Sequence, residues 1–210
     1  MKPFDLIFIA AFFYVFGSII WIVVLLLRRR HDALRRHIRR LGYFAGIYFL
    51  VEIAVSLAEP QRVLARSEPR RFDDWCIAVN DLVVTNQIEA TSAAPEKFVI
   101  VTLRVFSEAR GISQAAPLAS VHLLDAQGNR FNVSGPGQEA FERVHGPQPS
   151  LGTRLGPLGS FTTVRVFRVP SNLNQIDAVT PHGGGPGAFI IGDDNSLLHK
   201  PTVIRVPLDH

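Results

Sequence analysis

Two long apolar runs near the start of the chain predict two membrane-spanning helices. The first, residues 6–27, is 22 residues without a charge. As a helix it would be about 33 Å long, enough to cross a hydrocarbon layer of about 30 Å. The second, residues 41–58, has 18 residues and one charge, at Glu52. Its length of about 27 Å leaves an amphipathic or re-entrant segment as the alternative to a second span.

A cleavable signal peptide is the other interpretation of the first run. Such a peptide has an apolar core of about 7–15 residues that is followed by small residues. This run is longer, and three arginines follow it. We therefore predict a span that is retained in the mature protein.

The segment between the runs, residues 28–40, predicts the orientation of a helical hairpin. It holds one aspartate and seven arginines: Arg28, Arg29, Arg30, Arg35, Arg36, Arg39 and Arg40. Short arginine-rich loops stay in the cytoplasm, so we expect the loop inside and both termini outside. Four more widely spaced arginines at residues 62–71 oppose this orientation. The clustered arginines can also contact anionic lipid head groups.

Glu52 is an ionisable residue inside a predicted span, where polar groups are costly and therefore candidates for function. With residues 28–40 as a loop, Glu52 is level with Phe16, which makes Tyr14 and Ser18 its predicted hydrogen-bond partners. The main hypothesis is a protonated carboxyl group that joins two helices or two protomers. A proton or ion path is the alternative.

Small residues recur one helical turn apart in the second run, at Gly42 and Gly46. Such a face lets helices approach closely. We expect these glycines to serve helix packing, either within the hairpin or between copies in a homo-oligomer.

Beyond residue 71 the pattern changes to short β-branched and aromatic segments separated by turn residues. Residues 98–106 are apolar on both faces and predict a central strand, and residues 121–133 predict a hairpin. Further strands are predicted at residues 75–84, 161–169, 176–179, 188–191 and 202–206. This pattern predicts an all-β, immunoglobulin-like antiparallel sandwich. The predicted organisation is a helical hairpin (1–58), an extended linker (59–71) and the sandwich (72–210).

Several pieces of this domain occur in the order of a known family. They are residues 75–79 (WCIAV), residues 98–105 (FVIVTLRV), Leu124-Asp125 with Gly128 and Phe131, and residues 166–170 (VFRVP). Residues 72–206 thus resemble the bacterial immunoglobulin-like domains of unknown function of the DUF4352 type. The resemblance implies a sandwich in a secreted or membrane-anchored protein, and it implies no catalytic residues.

The distribution of charge and the single cysteine restrict which partners and which covalent links the sequence allows. The net charge of +4 and the pI of about 9.7 come from residues 1–71, which carry +7, whereas residues 72–210 carry −3. The basic cluster lies between two apolar runs and contains no aromatic residue, so we expect no nucleic-acid partner. The single cysteine, Cys76, excludes an intrachain disulfide and is predicted to be a buried, inert thiol.

Candidate chemistry is sparse. The histidines are scattered, no nucleophile–base pair can be proposed, and we expect neither an enzyme nor a cofactor. Asp193, Asp194 and Asn195 could supply oxygen ligands to calcium, but their spacing matches no standard loop. A turn capped by these side chains is the competing interpretation.

The sequence therefore predicts an integral membrane protein with a non-enzymatic, extracytoplasmic binding module of the cell envelope. Its expected partners are the lipid bilayer and a protein or envelope component. One alternative is an accessory subunit whose helices pack against a larger membrane transporter or enzyme complex. Another is a calcium-stabilised, adhesion-type domain.

Overall fold

The computed structural model describes residues 3–72, 74–181, 186–193 and 196–207. The chain divides into two compact units, which we call the helical unit (residues 1–60 and 184–200) and the β unit (residues 61–183 and 201–210). Residues 184–200 thus interrupt the β unit in sequence but belong to the helical unit. The polypeptide consequently passes between the units three times.

Two long helices, α1 (Pro3–Leu27) and α2 (His31–Ala58), form most of the helical unit. The turn between them is only residues 28–30, whose N–H groups donate to carbonyl groups in the last turn of α1 at 3.0 Å each. The predicted 13-residue loop is therefore wrong: residues 31–40 are the first turns of α2. Arginine, leucine and alanine are good helix formers, and residues 28–40 contain no glycine or proline.

The β unit is a mostly antiparallel β-sandwich, as predicted. The described strands are β1 (Val63–Leu64), β2 (Arg70–Phe72), β3 (Trp75–Thr85), β4 (Gln87–Ile88), β5 (Thr91–Ser92), β6 (Glu96–Ser107), β7 (His122–Leu124), β8 (Arg130–Phe131), β9 (Ser160–Pro170), β10 (Gln175–Val179) and β11 (Val203–Pro207). One sheet has the order β1-β11-β10-β7-β8 and the other β2-β3-β6-β9, while β4 and β5 pair separately. Among the described strands, only the short β1–β11 pair is parallel.

The predicted linker, residues 59–71, is not an extended stalk in the structure. It supplies β1 and most of β2. Leu64 is 2% exposed and lies in the main core, and Val63 is in register with Val203 of β11. Burial of an apolar side chain and pairing with a full strand explain why this short segment joins the sheet.

The main core lies between the two sheets, and β6 supplies its centre. Val99, Val101, Leu103 and Val105 of β6 are all fully buried, which confirms the central strand predicted at residues 98–106. In β3 the apolar alternation is interrupted because the pairing register with β6 shifts between Val79 and Asp81. The extra residue is typical of a β-bulge.

A third helix, α3 (Gly135–His145), covers the other face of β6 and β9. The Ser134 hydroxyl caps it by accepting the Gly137 N–H at 3.2 Å. A Cβ at Gly137 would lie 2.9 Å from both Phe98 and Val166. The absence of a side chain at this position is therefore what lets α3 lie so close to the sheet.

Side chains cover the outer edge of β9. The Gln138 amide accepts the Val166 N–H at 2.9 Å and donates to the Val164 carbonyl at 3.1 Å. Gln148 accepts the Val164 N–H at 3.2 Å. Because these backbone groups are already satisfied, this edge is closed to an additional strand.

His122 in β7 is a buried titratable group of the β unit. It is 8% exposed, and its Nδ1 has no hydrogen-bond partner among the described residues. Burial, together with the nearby Arg130 charge, lowers the pKa of His122 from 6.5 to about 4. The folded protein therefore holds this imidazole neutral at pH 7.

We expect His122 to make the sandwich acid-sensitive. Below pH 6.5 the unfolded chain takes up a proton on this residue, whereas the folded chain does so only near pH 4. The free energy of unfolding should fall between these values by on the order of 2 kcal/mol. Urea unfolding of the full chain in detergent, followed by Trp75 fluorescence in a Trp21→Phe background, measures this loss. In His122→Gln the loss should be smaller by that amount, and parallel pH curves would contradict the assignment.

Candidate functional site on the helical unit

The relative register of α1 and α2 is given by one aromatic contact. The ring centroids of Tyr14 and Phe44 are 4.5 Å apart, so these residues are level in the antiparallel pair. Glu52 lies eight residues after Phe44 and is therefore level with Leu6, about 12 Å along the axis from Tyr14. The prediction that Tyr14 and Ser18 bond to Glu52 is wrong, because it assumed a long loop.

Glu52, Ser56 and Glu59 form a polar row on one face at the end of α2, which we call the polar row. Their spacing of four and three residues places them above one another. The side chains of Glu52 and Ser56 are fully buried. Residues 196–199, from the connection between β10 and β11, cover this row.

Each member of the polar row meets a group of that covering segment. The Leu197 N–H donates to Glu52 Oε1 at 3.3 Å, and the hydroxyl groups of Ser56 and Ser196 are 2.9 Å apart. His199 Nε2 lies 3.2 Å from Glu59 Oε2. In the part of the chain that is described, Glu52 Oε2 has no partner. The carboxyl group of Glu52 therefore joins α2 to a segment that is 145 residues away in sequence.

Aromatic contacts hold an earlier part of the connection between β10 and β11. A 3-10 helix, Pro186–Phe189, stands where the sequence predicted a strand at residues 188–191. The Tyr48 hydroxyl donates to the Phe189 carbonyl at 2.6 Å, and the Phe49 and Phe189 rings are 6.3 Å apart. The apolar residues of this run pack on α2 and do not form a strand. The periodicity of a short apolar run does not distinguish these two outcomes.

The predicted calcium ligands belong to the same connection between β10 and β11. Asp193 is in a turn in which its N–H bonds to the Ile190 carbonyl at 3.1 Å, while its own carbonyl accepts the Ser196 N–H at 2.9 Å. Asp194 and Asn195 lie outside the described residues. Among those that are described, no group of three or more His, Cys, Asp or Glu side chains could hold a metal ion.

Four arginines lie near the start of α2, close to the turn that joins it to α1. Arg35, Arg36, Arg39 and Arg40 are exposed, and no ion pair involves them in the described part of the chain. By the register above, Arg40 is level with Ser18 of α1. The cationic part of α2 thus runs beside the apolar second half of α1.

Gly42 and Gly46 do not pack α1 against α2. Both are exposed, and a Cβ added at either would meet nothing within 4 Å. The contact with α1 instead uses the neighbouring aromatic face, which carries Phe44 and Tyr48. The prediction of close packing through these glycines within the hairpin is wrong, because that face points outward.

An apolar groove of about 590 Å³ runs between the two helices. Phe8, Phe12 and Val15 line it from α1, and Phe44, Ala45 and Tyr48 line it from α2. Its lining extends along α2 from Leu41 to Phe49 and includes Phe189, whose ring is 6.3 Å from that of Phe49. We call it the interhelical groove.

The one cysteine of the chain is not a reactive group. Cys76 is fully buried in β3. Burial and the nearby carboxylate of Glu108 raise the pKa of its thiol to about 11. The nucleophilic thiolate is therefore scarce at neutral pH.

No protein-family model matches this chain, and no curated protein is significantly similar to it in sequence. Solved structures do resemble it. A conserved hypothetical protein from Bacillus anthracis is 15% identical, covers 56% of this chain and 89% of its own, and has a TM-score of 0.46. An uncharacterised β-sandwich protein from Clostridium difficile is 7% identical, covers 72% and 97%, and has a TM-score of 0.40.

A third similar structure is the secreted protein MPT63 from Mycobacterium tuberculosis. It is 17% identical, covers 61% of this chain and 93% of its own, and has a TM-score of 0.40. None of the three carries a statement about function.

Neither the covering segment nor the groove was predicted from the sequence. The sequence of α2 does carry a signal for the covering segment, because a polar row on one face of an apolar helix requires a polar partner. Nothing local, however, identifies residues 196–199 as that partner.

Substitutions at Glu52 test the contact with Leu197. Glu52→Gln keeps an oxygen acceptor, whereas Glu52→Leu leaves the Leu197 N–H without one, at a cost of roughly 1–3 kcal/mol. Hydrogen exchange of the full chain should therefore be about tenfold or more faster at Leu197 in Glu52→Leu and little changed in Glu52→Gln. Val51→Leu, at an exposed neighbouring position, is the control. Equal exchange in all three variants would show that Glu52 does not hold the segment.

Proposed function

We propose that this protein is a membrane-anchored, non-enzymatic interaction module of the cell envelope. The observation that carries the proposal is the outer surface of α1 and α2, which are long and apolar enough to cross a membrane. Only 11% of the most apolar window of each helix is buried, and Phe13 and Leu50 are 66% and 69% exposed. Apolar surface of this extent is unfavourable in water and is removed from it in hydrocarbon.

The register supports a specific placement in the bilayer. A layer of about 30 Å corresponds to about 20 helical residues and would extend along α2 from Arg35 to Val55. The level part of α1 is then residues 3–23. Arg39 and Arg40 would reach the near head groups by extending along the helix.

The arginines of residues 28–40, at the turn between the helices, support one orientation of the hairpin in the membrane. Short arginine-rich connections stay in the cytoplasm, so the turn at residues 28–30 would be inside and the β unit outside. We assign the β unit to the immunoglobulin-like sandwiches, in keeping with the family resemblance of residues 72–206. The protein would then be an integral membrane protein with an extracytoplasmic domain.

Two joined loops are the proposed partner-binding surface of the β unit. Gln114 and Leu155 exchange two backbone hydrogen bonds of 2.8 Å each, which link the loop after β6 to the loop before β9. These loops carry exposed apolar residues: Ile112, Leu118 and Leu158 are 63%, 67% and 68% exposed. Contact with a protein or envelope component would use these loops and not the closed β9 edge.

A second candidate function is that of an accessory subunit within a larger membrane complex. The observation that favours it is the outward face of α2, where Gly42 and Gly46 leave open space. Tyr43 and Ile47, on the same side, are 67% and 66% exposed. A small-residue face of this kind accepts a neighbouring transmembrane helix closely.

Labelling with a membrane-impermeant maleimide tests the anchored topology. A cysteine introduced by Asn172→Cys, on the exposed turn after β9, should react in intact cells. One introduced by His31→Cys should react only after the membrane is permeabilised. The unsubstituted chain is the control, because buried Cys76 should react in neither condition. Labelling of His31→Cys in intact cells, or recovery of the protein in the soluble fraction, would overturn the proposal.

A further inference from the structure

We propose that the interhelical groove holds one acyl chain of an anionic phospholipid whose phosphate group lies on Arg36 and Arg40. The proposal rests on the membrane anchoring proposed above and names a specific lipid partner for it. It also identifies which of the clustered arginines take part in a defined site.

The shape of the groove favours an acyl chain over a protein helix. Between Leu41 and Phe49 the groove is about 12 Å long, and all of its lining is apolar. A helix with its side chains is about 10–12 Å across and could only rest on the rim. Phe189 also lines the groove beside Phe49, in the path of a helix that would continue along it. A lipid tail terminates within the bilayer, whereas a spanning helix continues through it.

The arginines supply the complementary charge at the other end. Arg36, Arg40, Phe44 and Tyr48 follow one another at intervals of four residues and therefore lie in one row along α2. The last two line the groove, so the row leads from two exposed guanidinium groups into the apolar lining. No carboxylate pairs with either arginine among the described residues. Guanidinium groups bind phosphate with paired hydrogen bonds.

A neighbouring row on the same helix provides the matched control. Arg35 and Arg39 lead at the same spacing to Tyr43 and Ile47, which are exposed on the outer side and do not line the groove. Arg39→Gln thus removes the same charge as Arg40→Gln, one residue away, but outside the proposed site. Likewise Ile47→Phe adds an aromatic ring on the outside, whereas Ala45→Phe adds it within the groove.

The test uses the full chain reconstituted in nanodiscs of equal parts phosphatidylglycerol and phosphatidylcholine. The protein is re-extracted in mild detergent, and retained lipid is identified by mass spectrometry. We expect phosphatidylglycerol to be enriched on the unsubstituted chain. Arg40→Gln should lower this enrichment about fivefold, and Ala45→Phe should abolish retention. Arg39→Gln and Ile47→Phe should retain lipid as the unsubstituted chain does.

Three results would overturn the proposal. Equal retention of both lipids would exclude a phosphate site, and equal losses in Arg39→Gln and Arg40→Gln would show diffuse attraction only. Unchanged retention in Ala45→Phe would show that the groove is empty or is covered by a protein helix. Before reconstitution, an alkaline carbonate wash of the membranes reports anchoring separately. Failure of the proposed function would appear there, as release of the protein.

Discussion

The short turn at residues 28–30 is the constraint on which the helical unit depends. It allows α2 to begin at His31, and the contact between Tyr14 and Phe44 then fixes the level of every other residue in the pair. As a result the two apolar runs are staggered. The arginines of α2 run beside apolar residues of α1, and the polar end of α2 extends past the start of α1. At each end of the hairpin, polar or charged side chains of α2 therefore need a partner that α1 does not supply.

At the polar end, the missing partner comes from the same chain. The segment between β10 and β11 covers Glu52 and Ser56 and is held by Tyr48 through the Phe189 carbonyl. Buried polar groups are costly when unpaired, so α2 and this segment stabilise each other. The helices are thus not an independent anchor attached to a finished domain. Their polar row is completed only when residues 196–199 have been made.

At the arginine end, the proposed partner is the membrane. Four guanidinium groups without carboxylate partners in the described part of the chain are suited to lipid phosphate. If the bilayer extends along α2 from Arg35 to Val55, the side chains of Arg39 and Arg40 reach the near head groups by extending along the helix. The same charges that indicate the topology would then also bind lipid.

Local patterns predicted the elements, and they failed where the outcome depends on distant residues. The apolar lengths predicted two helices, and the β-branched residues 98–106 predicted the central strand, because each pattern is complete within its own segment. The arginine-rich residues 28–40 were predicted as a loop because charge was weighed above helix propensity. Residues 188–191 were predicted as a strand, since a short apolar run has no period of its own. The partner of Glu52 could not be predicted from a sequence separation of 145 residues.

The most direct test of the account is disulfide crosslinking of the helices in native membranes. Tyr14→Cys is combined either with Phe44→Cys or with Ala54→Cys, which would be level with residue 14 if residues 28–40 were a loop. After oxidation, trypsin cuts at the arginines between the helices, and the fragments stay together only if they are linked. We expect linkage for the 14–44 pair alone, because residue 54 lies about 15 Å beyond residue 44 along α2. Linkage of the 14–54 pair, without that of the 14–44 pair, would contradict it.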